Sequence, residues 1–269
     1  MLKTRIIPTL LWKNEGLVKG VSFDSWRRVG TVLPAIKVYN TRQVDELIVV
    51  DITATEEGRE PDYEEINGFS AECFVPLTIG GGVKDIEIVK KLLRAGADKI
   101  VINSAAFDNP KLISQIANSL GSQCVVASID AKKRGDKYKC FSQSGKQATG
   151  ISVSEWAKEL ERLGAGEILI TSIEKDGTMQ GYNIELIKEV ADRVTIPVIA
   201  SGGAGNYDHM YQAIVQANAS AVAAASIFHF THQTPLEAKN YLFSKGIFVR
   251  NSVGMNLKNT TDPKLSQNI

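Results

Sequence analysis

The sequence contains few cysteines, no long apolar run and almost no excess charge. Its three cysteines, Cys73, Cys124 and Cys140, lack CxxC spacing, which argues against a disulfide framework and against a zinc site. No apolar run reaches the roughly 18 residues of a membrane span, and residues 1–15 lack the layout of a signal peptide. A net charge of +1 gives no general attraction to nucleic acid or to an anionic membrane. We therefore expect a cytoplasmic protein with no metal, no cofactor, no nucleic-acid partner and no membrane partner.

The length of 269 residues, of which 43% are hydrophobic, is enough for one large domain with a sizeable core. No break in composition divides the chain before residue 250. The last stretch, residues 251–269, is polar and aperiodic, which is typical of a disordered tail. The expected organisation is one folded domain over residues 1–250, followed by that tail.

Short apolar runs alternate with amphipathic helical patterns along the domain. Most of the runs are rich in Val and Ile and apolar on both faces, as buried parallel strands are. The runs span residues 5–11, 46–52, 75–79, 99–103, 124–130, 167–173, 196–201 and 221–226. The clearest helical patterns span residues 85–97, 154–166, 184–194 and 209–217. Eight such units can form either an eight-stranded (β/α) barrel or a doubly wound open sheet.

Two segments in the two halves of the chain read nearly alike, VPLTIGGGVKD at 75–85 and IPVIASGGAGN at 196–206. Each is a predicted strand that runs into a glycine turn, and the proline and the glycine pair keep the same spacing in both. Such a duplication indicates two related half-structures. Two halves of four units close naturally on each other, so the repeat favours a single (β/α)8 barrel, a TIM barrel built from two half-barrels.

Glycine turns of this kind let backbone amides approach an anion without interference from a Cβ atom. The first candidate phosphate cradle comprises Gly81, Gly82, Asn103 and Ser104, and the second comprises Asp176, Gly177, Gly202, Gly203, Ala225 and Ser226. Two cradles at one barrel mouth predict a small-molecule ligand with a phosphate at each end. The alternative is that the glycines serve only the geometry of tight turns.

Asp130 ends the fifth predicted strand, where a carboxylate points into the mouth of a barrel and can act as a general acid or base. A helix cap or a structural hydrogen bond is the alternative role. Asp51, at the end of the second strand, has a weaker claim to the same role. The histidines His209, His229 and His232 form no constellation in the sequence, so we expect structural roles for them.

Two connections, residues 12–31 and 131–152, are long for the loops that follow barrel strands. Both belong at the carboxyl-terminal face, where barrel enzymes keep their chemistry. The segment KYKCFSQSGKQ within the second connection predicts a small hairpin. A neutral insertion is the alternative.

Four charged residues fall at the starts of the first, second, fourth and sixth strands, which converge on the opposite face, the barrel floor. They are Arg5, Glu46, Lys99 and Glu167. Two positive and two negative side chains there can form a ring of ion pairs. Residues at this face usually serve stability, so structural closure of the floor is the alternative to a functional gate.

Taken together, these segments resemble the cyclase subunit of imidazole glycerol phosphate synthase. The similarity runs from Met1 to about Arg250 and includes LIVVDITATEEGR, PLTIGGGV, LLRAGADKIVINSAA and GAGEILITSIEKDGTMQGY. The resemblance implies a HisH-like glutaminase subunit docked on the floor in a 1:1 complex, with Asp98 facing it. It also implies that ammonia passes a gate formed by the four charged floor residues and attacks a bisphosphorylated ribulosyl substrate at the mouth. The implied products are imidazole glycerol phosphate and an aminoimidazole carboxamide nucleotide.

One position departs from the family pattern. The resemblance implies two catalytic aspartates, at the ends of strands one and five, and Asp130 matches the second. The family pattern IIPCLDVxxGRVVKG has the first at position 11, where this chain has Leu11 followed by Trp12 in IIPTLLWKNEGLVKG. Leucine can neither transfer a proton nor orient a nitrogen, and losing one of an acid/base pair commonly costs about 10²–10⁴-fold in rate.

With an intact ammonia route and an altered mouth, this chain resembles certain paralogues of the family. Those paralogues accompany a sugar amidotransferase in surface-polysaccharide (lipopolysaccharide) gene clusters. The resemblance to them implies a supply of ammonia for converting an N-acetyl sugar to an acetamidino sugar, with the amidotransferase as a third partner. Two other hypotheses stay open. One is a working cyclase of histidine biosynthesis that tolerates Leu11, and the other is a non-catalytic subunit that activates the glutaminase.

Overall fold

The computed structural model describes residues 3–14 and 16–250 of the chain. The predicted tail, residues 251–269, lies outside the described residues, so its disorder and the domain boundary at residue 250 stay predictions. Among the residues that are described, no helix is long and apolar enough to cross a membrane.

The described residues form twelve strands that belong to one sheet. In chain order they are β1 (Arg5–Lys13), β2 (Gly16–Val21), β3 (Asp24–Gly30), β4 (Leu47–Asp51), β5 (Leu77–Gly80), β6 (Lys99–Ile102), β7 (Val125–Arg134), β8 (Lys137–Ser142), β9 (Gln147–Ser152), β10 (Glu167–Ser172), β11 (Val198–Ser201) and β12 (Ala221–Ala224). Eight of them run parallel in the order β1, β4, β5, β6, β7, β10, β11 and β12, and β12 pairs with β1. The sheet therefore closes, which confirms the predicted (β/α)8 barrel and excludes the open sheet.

The helices surround this barrel. They are α1 (Val32–Thr41), α2 (Tyr63–Ala71), α3 (Ile86–Arg94), α4 (Ser104–Asp108), α5 (Lys111–Leu120), α6 (Val153–Arg162), α7 (Ile184–Ala191), α8 (Tyr207–Ala217), α9 (Ser226–Phe230) and α10 (Pro235–Ser244). The four helices predicted from periodicity correspond to α3, α6, α7 and α8. Helix α6 begins after Ser152 because the Ser152 hydroxyl accepts a hydrogen bond from the backbone amide of Glu155 and so caps the first turn.

Side chains of each barrel strand alternate between the lumen and the surrounding helices. In β1, Ile7 faces the lumen, whereas Ile6 belongs to the core between the barrel and the helices. The apolar layer of the lumen comprises Ile7, Ile48, Val101, Val126, Leu169, Ile199, Ala221 and Ala223. Because Arg5, Thr9 and Leu11 share the alternation of Ile7, β1 presents them along one line from the floor to the mouth.

Two hairpins project from the carboxyl-terminal ends of barrel strands. β2 pairs with β1 and β3, and β8 pairs with β7 and β9, all antiparallel. The β8–β9 hairpin confirms the prediction made for residues 131–152. The β2–β3 hairpin within residues 12–31 was not predicted, because β3 (DSWRRVG) is exposed along most of its length and lacks an alternating apolar face.

Candidate functional site at the barrel mouth

The carboxyl-terminal ends of the barrel strands enclose a cavity of about 170 Å³. Its lining includes Leu11, Asp130 and every residue of the two predicted cradles. Phe23 and Trp26 of the β2–β3 hairpin and Ser144 of the β8–β9 turn also line it, so both hairpins contribute to the walls. The structure therefore brings together at one mouth the residues that the duplication predicts should meet there.

The first cradle lies where β5 runs into its glycine turn. Gly82 has a left-handed backbone, with φ of 70°, and a Cβ atom there would lie 2.8 Å from the backbone oxygen of Arg59. Only glycine fits this combination of backbone angle and close approach without strain. The amide of Gly82 donates to the Thr55 hydroxyl at 3.2 Å. The Ser104 hydroxyl, at the start of α4, accepts from the amide of Gln143 at 3.0 Å, which ties the β8–β9 turn to this cradle.

The second cradle has the same glycine geometry but a different polar contact. Gly203 has φ of 110°, and a Cβ atom there would clash with the backbone oxygen of Gly181. The Asp176 carboxylate forms a buried ion pair with Lys19 of β2, with 2.5 Å between Nζ and Oδ2. The backbone oxygen of Asp176 accepts from the amide of Ser22 at 2.8 Å. Asp176 therefore holds the β2–β3 hairpin against the mouth, and an anion entering this cradle would meet the Lys19 ammonium.

Asp130 lies within β7, which continues to Arg134, so it does not cap a helix. Its Oδ2 accepts a hydrogen bond from Asn103 Nδ2 at 2.9 Å. Burial disfavours the charged carboxylate, and the negative charge of Asp176 adds to this effect, so the pKa of Asp130 is raised to about 7. Both protonation states are therefore populated near neutral pH, which suits a group that donates and accepts protons.

Leu11 occupies the opposite wall of the same cavity. β1 and β7 are four places apart in the closed ring of eight strands, so Leu11 of β1 faces Asp130 of β7 across the mouth. The neighbouring Trp12 points outward and packs edge-on against Phe69, with ring centroids 5.3 Å apart. Trp12 therefore supports the barrel wall and brings no polar group to the cavity. The wall at position 11 is apolar.

Two polar atoms near the mouth are buried without a hydrogen-bond partner among the described residues, Thr9 Oγ1 and Asn103 Oδ1. Both residues line the cavity. Buried polar atoms in folded proteins are nearly always satisfied by protein, water or ligand. The described protein atoms therefore leave the hydrogen-bonding capacity of these two atoms unused.

Asp51, the weaker acid/base candidate, and His209, for which we expect a structural role, both have structural partners. Asp51 forms an ion pair with Arg59 at 2.7 Å, and its other oxygen accepts from the amides of Thr53 and Ala54. The ring of His209, on α8, accepts from the amide of Gly205 at 3.1 Å. Because these contacts fix loop geometry, neither residue presents a free catalytic group to the cavity.

The four charged residues predicted at the floor form a closed ring. Arg5 contacts Glu46 at 2.8 Å and Glu167 at 3.0 Å, and Lys99 contacts the same two carboxylates, each at 3.0 Å. Glu46 also accepts from the Thr78 hydroxyl at 2.9 Å. Burial alone would lower the pKa of Arg5, but the two carboxylates outweigh it and raise that pKa, so Arg5 stays charged.

Asp98 lies just outside this ring. Its side chain is exposed at the floor, and its Oδ2 accepts from the amide of Leu77 at 2.8 Å. One carboxylate oxygen is thereby fixed by the first residue of β5. The negative charge is held in a defined position on the floor surface.

Sequence reasoning missed Lys19, Thr55 and Gln143 as residues that contact the cradles. Lys19 belongs to a segment that was noted only as a long connection. No local signal marked Lys19 as buried, because a lysine between Val18 and Gly20 in a strand has the pattern of a residue that faces solvent.

Comparisons with known proteins agree with this geometry. Residues 5–234 match the sequence family described as "Histidine biosynthesis protein". The chain is 46% identical over 250 residues to imidazole glycerol phosphate synthase subunit HisF of Chlorobium phaeovibrioides (strain DSM 265 / 1930), which covers 93% of this chain and 100% of that protein. With the same coverage, it is 47% identical to subunit HisF of Chlorobium phaeobacteroides (strain BS1) and 45% identical to that of Pelodictyon phaeoclathratiforme (strain DSM 5477 / BU-1). The chain therefore belongs to the family of HisF cyclase subunits of imidazole glycerol phosphate synthase.

Proposed function

We propose that this HisF-like subunit receives ammonia from a glutaminase subunit at its floor and conducts it through the barrel. The ammonia then serves the amidination of an N-acetyl sugar in surface-polysaccharide biosynthesis. One observation carries the proposal: the charged floor ring is complete, whereas the mouth has Leu11 where the family pattern has a catalytic aspartate. A protein under selection for ammonia delivery needs the first feature and can lose the second.

The lumen supports passage of a small neutral molecule. Between the floor ring and the mouth, the inward side chains form an apolar layer that includes Ile7, Ile48, Val126 and Leu169. An unpaired ammonium ion is strongly disfavoured in such surroundings, whereas neutral ammonia is much less so. The ring and the layer together therefore favour ammonia as the transported species, with the ring acting as the gate.

The mouth supports binding of a phosphorylated ligand independently of Leu11. The glycines of both turns line the cavity, and so does Lys19, which is paired with Asp176 at the second turn. In this proposal, the amidotransferase carries out the amidination itself, in which ammonia nitrogen replaces the carbonyl oxygen of the N-acetyl group and that oxygen leaves as water with two hydrogens of the ammonia. The barrel subunit binds a phosphorylated molecule and supplies the nitrogen.

The second candidate function is the cyclase reaction of histidine biosynthesis. It is favoured by the identity of about 46% to HisF subunits over their whole length and by Asp130, whose pKa near 7 suits proton transfer. A third candidate, a non-catalytic subunit that only activates the glutaminase, differs from both in requiring no ammonia transfer through the lumen.

The proposed partner can be tested at Asp98. We expect the wild-type chain and the glutaminase subunit of the same organism to form a 1:1 complex at micromolar concentration in size-exclusion chromatography. Asp98→Lys should weaken the complex about tenfold or more, because it reverses a fixed charge at the interface. Asp98→Asn is the matched control, since it keeps the acceptor for the Leu77 amide and removes only the charge, and its effect should be smaller. Elution of free subunits only, with both wild-type proteins, would rule out the proposed partner.

A further inference from the structure

Exposed aromatic side chains are concentrated on the barrel floor. Among the described residues, the two most exposed large hydrophobic side chains are Phe74, 80% exposed, and Phe248, 55% exposed. The other large hydrophobic residues with high exposure are the valines Val21, Val38 and Val215, which lie on a hairpin and on two outer helices. Single exposed valines are ordinary on a protein surface, but a phenylalanine this exposed is a large apolar area left in water.

Both phenylalanines lie beside the charged ring. Phe74 is three residues before Leu77, so the two residues are at most about 10 Å apart along the chain. The amide of Leu77 is the group that Asp98 fixes, so Phe74 and Asp98 belong to one patch of the floor. The backbone oxygen of Phe248 accepts from the amide of Thr4, next to the first residue of β1. β1, β4 and β5 are adjacent strands, so the side chains of the two phenylalanines flank one side of the charged floor ring.

The loop that carries Phe74 is held rigidly in place. The backbone amide of Phe74 donates to Asn40 Oδ1 at 3.2 Å. The side-chain nitrogen of the same residue, Asn40 Nδ2, donates to the backbone oxygen of Glu72 at 2.5 Å. These two bonds tie the loop to the end of α1. Ordering a side chain on binding costs conformational entropy, and a loop that is already fixed has less to lose.

We propose that Phe74 is the central apolar anchor of the surface that binds the glutaminase subunit, with Phe248 as a second contact. The glutaminase face that fits it has an apolar recess opposite Phe74 and a positive group opposite Asp98. Aromatic residues are enriched in the cores of interfaces, and truncation of a residue that fills a partner's pocket is among the costliest changes there. This inference rests on the proposed partnership and adds to it the residue that dominates the affinity.

The test is isothermal titration calorimetry of the full chain with the glutaminase subunit of the same organism. Phe74→Ala should raise Kd at least about tenfold, as truncation of a hot-spot aromatic does. Phe74→Leu should recover part of the loss. Val21→Ala is the matched control, because Val21 is an exposed hydrophobic residue on the β2–β3 hairpin at the opposite, carboxyl-terminal face, and it should leave Kd within about twofold. Thermal unfolding of each variant should match the wild type, since Phe74 makes little contact with the core.

The outcomes separate this inference from the proposed function. Tight binding by the wild type with Kd unchanged in Phe74→Ala overturns the anchor and leaves the partnership intact. Absence of wild-type binding overturns both. If the isolated chain self-associates in analytical ultracentrifugation and Phe74→Ala abolishes that association while sparing glutaminase binding, the phenylalanine serves a second copy of this chain, and the inference is wrong.

Discussion

Leu11→Asp is expected to raise the formation of imidazole glycerol phosphate from free ammonium and the bisphosphorylated substrate by about two orders of magnitude. In the wild type, Asp130 faces the apolar side chain of Leu11 across the mouth. A missing acid/base group commonly costs about 10²–10⁴-fold, so restoring a carboxylate across from Asp130 recovers much of that factor. Recovery should be incomplete, because Thr9 and Trp12 also depart from the family pattern and shape the same wall.

The gain should appear in kcat with little change in KM, because the added carboxylate acts in the transition state and the two glycine turns that line the mouth are unchanged. Leu11→Asn is the matched control, since it has a similar size to aspartate and cannot transfer a proton, and it should give no comparable gain. The double variant Leu11→Asp/Asp130→Asn should lose what the single variant gained. Wild-type turnover within about tenfold of an ordinary family member would contradict the account, since loss of such a group should cost more.

Lys239→Met is expected to lower the free energy of unfolding by about 3–5 kcal/mol, because it leaves a buried carboxylate without its partner. Lys239 of α10 contacts the Asp45 carboxylate at 2.6 Å, and both side chains are only 2% exposed. Asp45 also accepts from the amide of Ile6 in β1, so the pair joins the last described helix to two barrel strands near the floor. Asp45 directly precedes Glu46 of the floor ring, and the same variant should therefore also disturb that ring.

The measurement is urea unfolding followed by circular dichroism. Lys188→Met is the matched control, since it removes a lysine of similar length from an exposed pair with Asp192, in which the side chains are 51% and 48% exposed. Exposed pairs contribute little, so this variant should stay within about 0.5 kcal/mol of the wild type. Equal effects of the two substitutions would show that the buried pair has no special role in stability.

The barrel could be predicted from the sequence because its strands are buried on both faces and therefore read as continuous apolar runs. The floor ring followed from topology alone, since parallel strands of a barrel start at one face and Arg5, Glu46, Lys99 and Glu167 each lie at a strand start. The cradles followed from the duplication. In each of these cases the local pattern carried the information.

Contacts between distant segments could not be predicted in this way. Lys19 and Asp176 are 157 positions apart, and nothing in either segment indicates the other. The pairing of Asp51 with Arg59, which leaves Asp51 without a free carboxylate, depends on how one loop folds back. The exposure of Phe74 is equally invisible, because an aromatic residue next to an apolar strand reads as part of the core.

The most direct test of the account is to follow two products in one reaction of the reconstituted barrel–glutaminase pair, supplied with glutamine and the bisphosphorylated substrate. Glutamate reports the ammonia released by the glutaminase, and imidazole glycerol phosphate reports the ammonia consumed at the mouth. The account predicts glutamate formation with far less than equimolar imidazole glycerol phosphate, since it proposes that Leu11 disables the cyclase step and leaves the ammonia route intact. Equimolar formation of the two products would contradict it and assign the chain to the cyclase reaction of histidine biosynthesis.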